Sequence, residues 1–187
     1  MSQTMNLSGS RTAVTMAAAG LLTALAAAPV TVQAQSGSAA GRESVARIQR
    51  IEDRAEIEQL LLNYGRHLDS RDFKAYAQLF ARDGVWEGGM GTVQGPAAIL
   101  AFMEKAIPGP NTAHNFHLLS NFVIDVQGDS ATAWSRWQFV APGQDGRPVV
   151  AQAGRYDDTL VREDGRWKFK RRMASNDLPL PRPSPPK

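Results

Sequence analysis

The spacing of apolar residues changes once along the chain, near residue 117. Between Val45 and Leu68 apolar side chains recur every three to four residues, which is the spacing of one face of an α-helix. From His117 to Met173 they alternate with polar side chains, as in β-strands that have one buried face. The pattern therefore predicts helices first and a sheet afterwards.

Three helices are predicted in the N-terminal half. The first, over 45–68, carries a stripe expected to be buried, formed by Ile57, Leu60, Leu61, Tyr64 and Leu68. The second covers 73–80, and either Ser70 or Asp72 is placed to cap its first turn. The third begins at Pro96, a residue favoured at the first position of a helix.

Two short strands are predicted before the third helix, at 85–87 and 92–93, and four long strands after it. The long strands cover His117–Val126, Ser130–Val140, Val149–Arg162 and Arg166–Met173. Helices followed by a meander of strands predict an α+β fold in which an antiparallel sheet has helices on one face. Strong curvature of that sheet would give a cone with a pocket between helices and sheet, the usual place for a small ligand.

The N-terminal segment has the composition of a secretory signal peptide. Arg11 precedes an apolar stretch from Ala13 to Val32, and small residues follow it around Ala34. We therefore expect residues 1–34 to be removed and the protein to be exported to the periplasm or secreted, without stable membrane insertion. The alternative is a retained anchor, since the stretch approaches the length that spans a bilayer.

The remaining chain divides into a linker, one domain and a tail. Small polar residues over 35–43 predict a flexible linker. Residues 44–177 have the length of a single domain with its own core. The five prolines within 178–187 predict a disordered tail.

Composition excludes several kinds of site. The chain has no cysteine, so it has no disulfide, no thiol nucleophile and no thiolate metal ligand. The formal net charge of +3 falls to +2 without Arg11. The sequence shows no concentrated basic face, so nucleic-acid binding is not predicted. The three histidines lack a metal-binding spacing, so neither a metal nor another cofactor is predicted.

Four stretches carry a resemblance to a known family: Ile57 to Asp72, Ala77 to Glu87, His117 to Thr132, and Gly154 to Phe169. In order and spacing they resemble the SnoaL-like branch of the nuclear transport factor 2-like superfamily. Scytalone dehydratase and bile-acid 7α-dehydratase are the functional relatives that look most similar. The fold hosts many chemistries and also binders that catalyse nothing, so the resemblance implies the fold more strongly than the activity.

The resemblance implies three catalytic residues and a cofactor-free loss of water. His117 would take a proton next to a carbonyl, Tyr64 would donate a hydrogen bond to the resulting oxyanion, and Asp69 would orient His117 or assist the leaving hydroxyl. The residues themselves also permit structural roles. Tyr64 lies on the buried stripe, Asp69 lies where a helix ends, and His117 is one polar residue on a half-buried strand.

Five further residues are candidates for contact with a small hydrophobic ligand: Trp86, Asn121, Trp137, Tyr156 and Arg171. The aromatic residues would form apolar walls. Strand alternation places Asn121 on the predicted face of His117. Arg171 lies on an otherwise apolar face, where it needs either an acidic partner, such as Asp157 or Asp158, or an anionic ligand.

Sequence alone favours a cofactor-free lyase or isomerase, related to dehydratases, that acts on a small hydrophobic hydroxy-carbonyl compound. The alternatives are a non-catalytic carrier of a similar molecule and a structural partner subunit. A homodimer through the outer face of the sheet is also expected, because Trp134 and Phe122 are predicted to lie there.

Overall fold

The protein, described here from a computed structural model, is defined over residues 38–179. Its three helices are α1 (Ala39–Ser70), α2 (Phe73–Ala77) and α3 (Pro96–Ala106). No helix within this range is long and apolar enough to cross a membrane. The predicted signal peptide and the end of the predicted tail lie outside the described residues, so export stays a prediction.

Six strands form one curved, unclosed sheet: β1 (Phe80–Gly88), β2 (Gly91–Gln94), β3 (Phe116–Gln127), β4 (Ser130–Pro142), β5 (Pro148–Glu163) and β6 (Arg166–Leu178). Their order across the sheet is β2-β1-β6-β5-β4-β3. The predicted α+β cone with helices in the N-terminal half is confirmed. One pair departs from the antiparallel prediction, because β1 and β6 run parallel.

Helix α1 packs its apolar stripe against the sheet, and all five residues predicted for that stripe are buried. The helix starts earlier than the sequence pattern indicated, because Ser38 caps it by accepting a hydrogen bond from Gly41 N at 3.2 Å. Residues 39–43, which were expected to belong to a flexible linker, are therefore helical. At the other end of the chain, β6 extends to Leu178, the first residue of the predicted tail.

Gly65 allows helix α1 to approach strand β3 closely. A Cβ added at Gly65 would stand 2.8 Å from Leu119 Cδ1 on β3, so the end of the Leu119 side chain would have to move. The glycine allows the approach without that movement. Asp69, one turn further along α1, is thereby held near β3.

A buried ion pair fastens the middle of α1 to the hairpin formed by β5 and β6. Arg162 contacts Asp53, whose Oδ1 also accepts from Gln49 at 3.0 Å and lies 3.4 Å from Trp167 Nε1. The Arg162 guanidinium covers the Trp167 ring at 4.6 Å. Burial raises the pKa of Asp53, but the hydrogen bonds that reach it outweigh burial, and its pKa is lowered overall.

A bulge in β3 reverses which of its side chains face the core. The register with β4 shifts between Ser120 and Val123, and Asn121 adopts a φ of 57°. Before the shift His117 and Leu119 face inward, and after it Phe122 does. Two predictions fail for this reason: Asn121 is exposed and does not share a face with His117, and Phe122 packs against the core. Phe122 therefore does not belong to the outer face through which a homodimer was predicted, and the homodimer itself stays a prediction.

A second bulge, in β6, also reverses which side chains face the core. Thr159 pairs with Arg171 and Leu160 with Phe169, which leaves Lys170 as the extra residue. Phe169 faces inward before the bulge, and Arg172 faces inward after it. Arg171, which alternation had placed on the apolar face, is therefore exposed.

Candidate functional site

A cavity of about 480 Å³ opens between the helices and the inner face of the sheet. Its volume lies in the range of small-molecule sites. It is lined by Tyr64, Leu68, Arg71, Tyr76, Trp86, Gly89, Met90, Met103, Ile107, His117, Trp137, Phe139, Gln152, Tyr156, Ala174 and Asn176. Five of the residues singled out in the sequence therefore meet there: Tyr64, His117, Trp86, Trp137 and Tyr156.

Asp69 reaches this cavity through His117. Its Oδ1 lies 2.6 Å from the ring atom Nδ1, and its Oδ2 accepts from the backbone N of His117 at 2.8 Å. Both carboxylate oxygens are thus used on one residue, which fixes the ring plane of His117. The two side chains are only 20% and 15% exposed, so the contact is shielded from bulk water.

This contact sets the protonation pattern of the histidine ring. A carboxylate accepts hydrogen bonds, so Nδ1 carries the proton when His117 is neutral. The opposite atom, Nε2, forms no hydrogen bond with any residue in the described range. Its lone pair is therefore free to accept a proton from a molecule in the cavity.

Asn111 holds the backbone on both sides of this pair. Its Nδ2 donates to the backbone O of Asp69 at 3.0 Å and to that of Asn115 at 2.8 Å. The bonds tie the end of α1 to the loop that enters β3. Sequence reasoning did not identify Asn111, because no local pattern shows that the two segments meet.

Tyr64 lies on the cavity floor, only 2% exposed, and its hydroxyl already accepts one hydrogen bond. Trp86 Nε1 donates to it at 3.0 Å. This accepted bond does not use the phenolic proton, which Tyr64 can donate to a neighbouring phenol, Tyr76 or Tyr156, or to a ligand oxygen. The bond also orients the indole of Trp86 along the cavity wall.

Tyr76 of α2 contributes a second phenol beside that of Tyr64. It is fully buried, its ring centroid lies 4.7 Å from that of Tyr64, and its hydroxyl forms no hydrogen bond of standard geometry with any described residue. Burial raises the pKa of Tyr76 well above its ordinary value, so the phenol stays neutral. The neighbouring phenol of Tyr64 raises the pKa of Tyr76 further, so the two hydroxyls lie close together beneath the cavity.

A buried ion pair lies behind these tyrosines. Arg172 donates from Nε and Nη2 to the two carboxylate oxygens of Asp158, at 2.8 and 2.6 Å. Its guanidinium lies 4.0 Å from the Tyr64 ring centroid and 4.1 Å from those of Tyr156 and Phe169. Cation–π contact and the bidentate pair together hold the aromatic floor in place.

The two remaining candidates lie away from the cavity. Arg171 donates from Nη2 to Glu87 at 2.7 Å on the outer face of the sheet, so its partner is neither Asp157 nor Asp158. Asn121 lies in the β3 bulge and is exposed. Both were placed by strict alternation, which fails at a bulge.

Arg71 is another cavity residue that the sequence did not reveal. It lies in the turn after α1, and its Nη1 donates to the backbone O of Leu68 at 3.1 Å. The composition of the turn, Asp69 to Asp72, indicated only a break between helices. Nothing in the local sequence distinguishes an arginine that turns inward from one that is solvated.

Comparison with known proteins supports the resemblance to the SnoaL-like family. A SnoaL-like domain model matches residues 49–173. Uncharacterized proteins of Mycobacterium bovis and Mycobacterium tuberculosis are each 30% identical over 136 residues, which cover 71% of this chain and 90% of the relative.

Two solved structures from Novosphingobium aromaticivorans have the same architecture. One is a nuclear transport factor 2-like protein with a cystatin-like fold, 27% identical with a TM-score of 0.68, covering 77% of this chain and 94% of that chain. The other is a candidate aromatic ring hydroxylase, 29% identical with a TM-score of 0.58, covering 70% and 93%. The chain belongs to the SnoaL-like family of the nuclear transport factor 2-like superfamily.

Proposed function

We propose that the cavity catalyses a cofactor-free lyase reaction, the dehydration of a small hydrophobic β-hydroxy carbonyl compound. The observation that carries the proposal is the Asp69–His117 pair, which uses Nδ1 and leaves Nε2 open to the cavity that Tyr64 also lines. A base and an oxyanion donor at one cavity are the minimum set for removing a proton next to a carbonyl.

In the proposed reaction His117 Nε2 takes the proton from the carbon beside the carbonyl, and the electron pair of that C–H bond moves toward the carbonyl oxygen to form an enolate. The enolate then returns the electron pair to form a carbon–carbon double bond as the bond between the β-carbon and its hydroxyl breaks. The imidazolium gives its proton to this hydroxyl as it leaves, so it departs as water. Asp69 stabilises the imidazolium between these two transfers.

Negative charge that develops on the carbonyl oxygen is proposed to be met by Tyr64. Its hydroxyl accepts from Trp86, and this accepted bond strengthens it as a donor to the ligand oxygen. The aromatic walls of Trp137 and Tyr156, whose ring centroids lie 5.9 Å apart, favour a ring-bearing substrate. The reference to an aromatic ring in the name of one structural neighbour supports this choice.

Binding without catalysis is the second candidate, and one observation favours it. Tyr64 is almost fully buried, and its hydroxyl has a protein partner, as a tyrosine with only a packing role would. A carrier would use the same aromatic walls and would leave the bound molecule chemically unchanged.

Exchange of carbon-bound hydrogen separates the two candidates. The probe is 2-tetralone, a two-ring ketone whose hydrogens beside the carbonyl exchange in D₂O once a base removes them. We expect the protein to accelerate this exchange, followed by proton NMR, and His117→Gln to reduce the acceleration by about 10²–10⁴-fold.

His114→Gln is the matched control, since His114 is exposed and does not line the cavity; it should exchange at the wild-type rate. Binding of 2-tetralone without accelerated exchange would reject the lyase and leave the carrier. Equal exchange rates in His117→Gln and wild type would remove His117 from the proposed chemistry.

A further inference from the structure

The turn after α1 contains an arginine whose position the backbone does not explain. Arg71 ends the helix with a φ of 61°, in the left-handed region that glycine adopts without strain. Its side chain nevertheless lines the cavity. We propose that Arg71 binds an anionic group of the ligand, so that the cavity takes a ring compound bearing a carboxylate. This inference rests on the proposed function of the cavity as a ligand site.

The charge of Arg71 has no acidic partner within the described residues. No carboxylate there lies within 4 Å of its guanidinium, whereas Arg162 and Arg172 each form ion pairs at their own sites. Arg71 is half-buried; its Nε is enclosed and its Nη2 is not, and neither forms a hydrogen bond with a described residue. A half-buried cation without an acidic partner is unfavourable, and an anion at Nη2 would satisfy its charge.

The two acidic residues nearest in sequence are already engaged elsewhere. Asp69 uses both oxygens on His117. Asp72 caps α2 by accepting from Ala75 N at 3.0 Å, and its other oxygen lies 3.9 Å from His67 Nδ1. A neighbour in the turn is therefore not the partner of Arg71.

The shape of the unused part of the guanidinium defines the ligand group. Nη1 donates to the backbone O of Leu68 and Nε is enclosed by the protein, which leaves Nη2 as the nitrogen that a ligand in the cavity can reach. Its N–H groups, beside the guanidinium charge, match an oxygen of a carboxylate. The aromatic walls of the same cavity, Trp137 and Tyr156, suit the ring that carries this carboxylate.

A pair of probes of nearly equal size tests the charge preference without requiring turnover. They are 2-naphthoate and 2-acetonaphthone, which carry a carboxylate and a neutral methyl ketone on the same ring system. By titration calorimetry we expect the wild-type chain to bind 2-naphthoate about 10- to 100-fold more tightly, the range of one hydrogen-bonded charge pair.

Three variants locate that preference. Arg71→Gly removes the guanidinium where glycine fits the backbone, so the chain should fold with unchanged or higher melting temperature and should bind both probes equally. Arg71→Lys should retain part of the preference, since it keeps the charge without the shape of the guanidinium. Arg66→Gln, on the exposed face of α1, should behave as wild type.

Equal affinity of the wild type for both probes, or a preference that survives Arg71→Gly, would overturn the proposal. Failure of both probes to bind would overturn it as well, because an aromatic carboxylate is the class it names. The proposed chemistry is judged separately. A wild type that prefers 2-naphthoate but does not accelerate exchange of 2-tetralone rejects only the lyase, and the converse rejects only the role of Arg71.

Discussion

Asp158 and Asp69 each bind a nitrogen-containing side chain of the sheet, but they leave different parts of it accessible. Asp158 gives both oxygens to the guanidinium of Arg172, and neither side chain is exposed at all. Asp69 gives both oxygens to His117, but the second nitrogen of that ring remains open to the cavity. In the first pair both carboxylate oxygens are used and both side chains are enclosed, although Arg172 Nη1 forms no hydrogen bond with a described residue. In the second pair one ring nitrogen stays accessible. A pair enclosed by rings stabilises the fold, whereas a pair with one free nitrogen at a cavity can take part in chemistry.

The largest expected effect comes from breaking the enclosed pair. Asp158→Ala leaves the Arg172 charge buried and unpaired, and we expect it to lower the free energy of unfolding by about 3–5 kcal/mol. Urea denaturation followed by tryptophan fluorescence measures the loss. Asp157→Ala is the control, because Asp157 is 40% exposed and lies 3.5 Å from Arg155 at the surface; its cost should stay below about 1 kcal/mol. Similar costs for the two variants would show that the enclosed pair is not structural.

Breaking the open pair should affect chemistry more than stability. Asp69→Asn places an amide against Nδ1, which favours the ring form with its proton on Nε2 and so removes the base. We expect the exchange of 2-tetralone to fall by about 10²-fold, which corresponds to about 2.7 kcal/mol in the barrier. Affinity for the ketone should change little. Unchanged exchange with a lower unfolding free energy would make Asp69 a structural residue like Asp158.

Tyr76 sharpens the comparison, since its hydroxyl is enclosed and forms no hydrogen bond of standard geometry with a described residue. Tyr76→Phe removes this buried polar group, and we expect it to raise the free energy of unfolding by about 1 kcal/mol. Tyr64→Phe should do the opposite to stability, because it leaves Trp86 Nε1 without its acceptor. If Tyr76→Phe destabilises the protein, its hydroxyl has a structural partner after all.

The smallest effect concerns the pair that fastens α1, and it appears as pH dependence. The pKa of Asp53 is lowered in the folded protein from its ordinary value of 3.8, so its charged form contributes stability above that pH. The contribution is lost as the pH falls through the lower folded pKa. The stability difference between wild type and Asp53→Asn should therefore shrink in urea titrations below about pH 4. A difference that stays constant down to pH 2.5 would contradict the lowered pKa.

Much of the fold followed from local patterns in the sequence. The stripe of α1, the Asp72 cap of α2 and the start of α3 at Pro96 all lie where spacing and capping rules predicted them. The long strands were found within a few residues of their ends. These features depend on interactions between neighbours in sequence, which periodicity records. The pairing of β1 with β6 depends on residues more than eighty positions apart, and no local pattern encodes it.

The candidate site was predicted less completely, and the bulges explain the errors. Alternation identified Trp137 correctly because β4 is regular at that position. The same rule placed Asn121 and Arg171 inside, although each lies at a bulge that reverses the strand face. Arg71 and Tyr76 were missed for another reason. A turn residue and a packing residue become part of a site only through the curvature of the sheet opposite them.

Because β6 is central in the sheet and last in the chain, the cavity can form only after this strand is in place. This strand lies between β1 and β5, so until residues 166–178 are synthesised the sheet is divided into β2–β1 and β5–β4–β3. The N-terminal helices cannot complete their packing before β6 is present, because Arg172 of this strand contacts the aromatic rings beneath the cavity. Such late, long-range pairing slows folding and exposes strand edges in the meantime. A nascent chain that ends before β6 would therefore carry His117 and Tyr64 but no cavity for them to share.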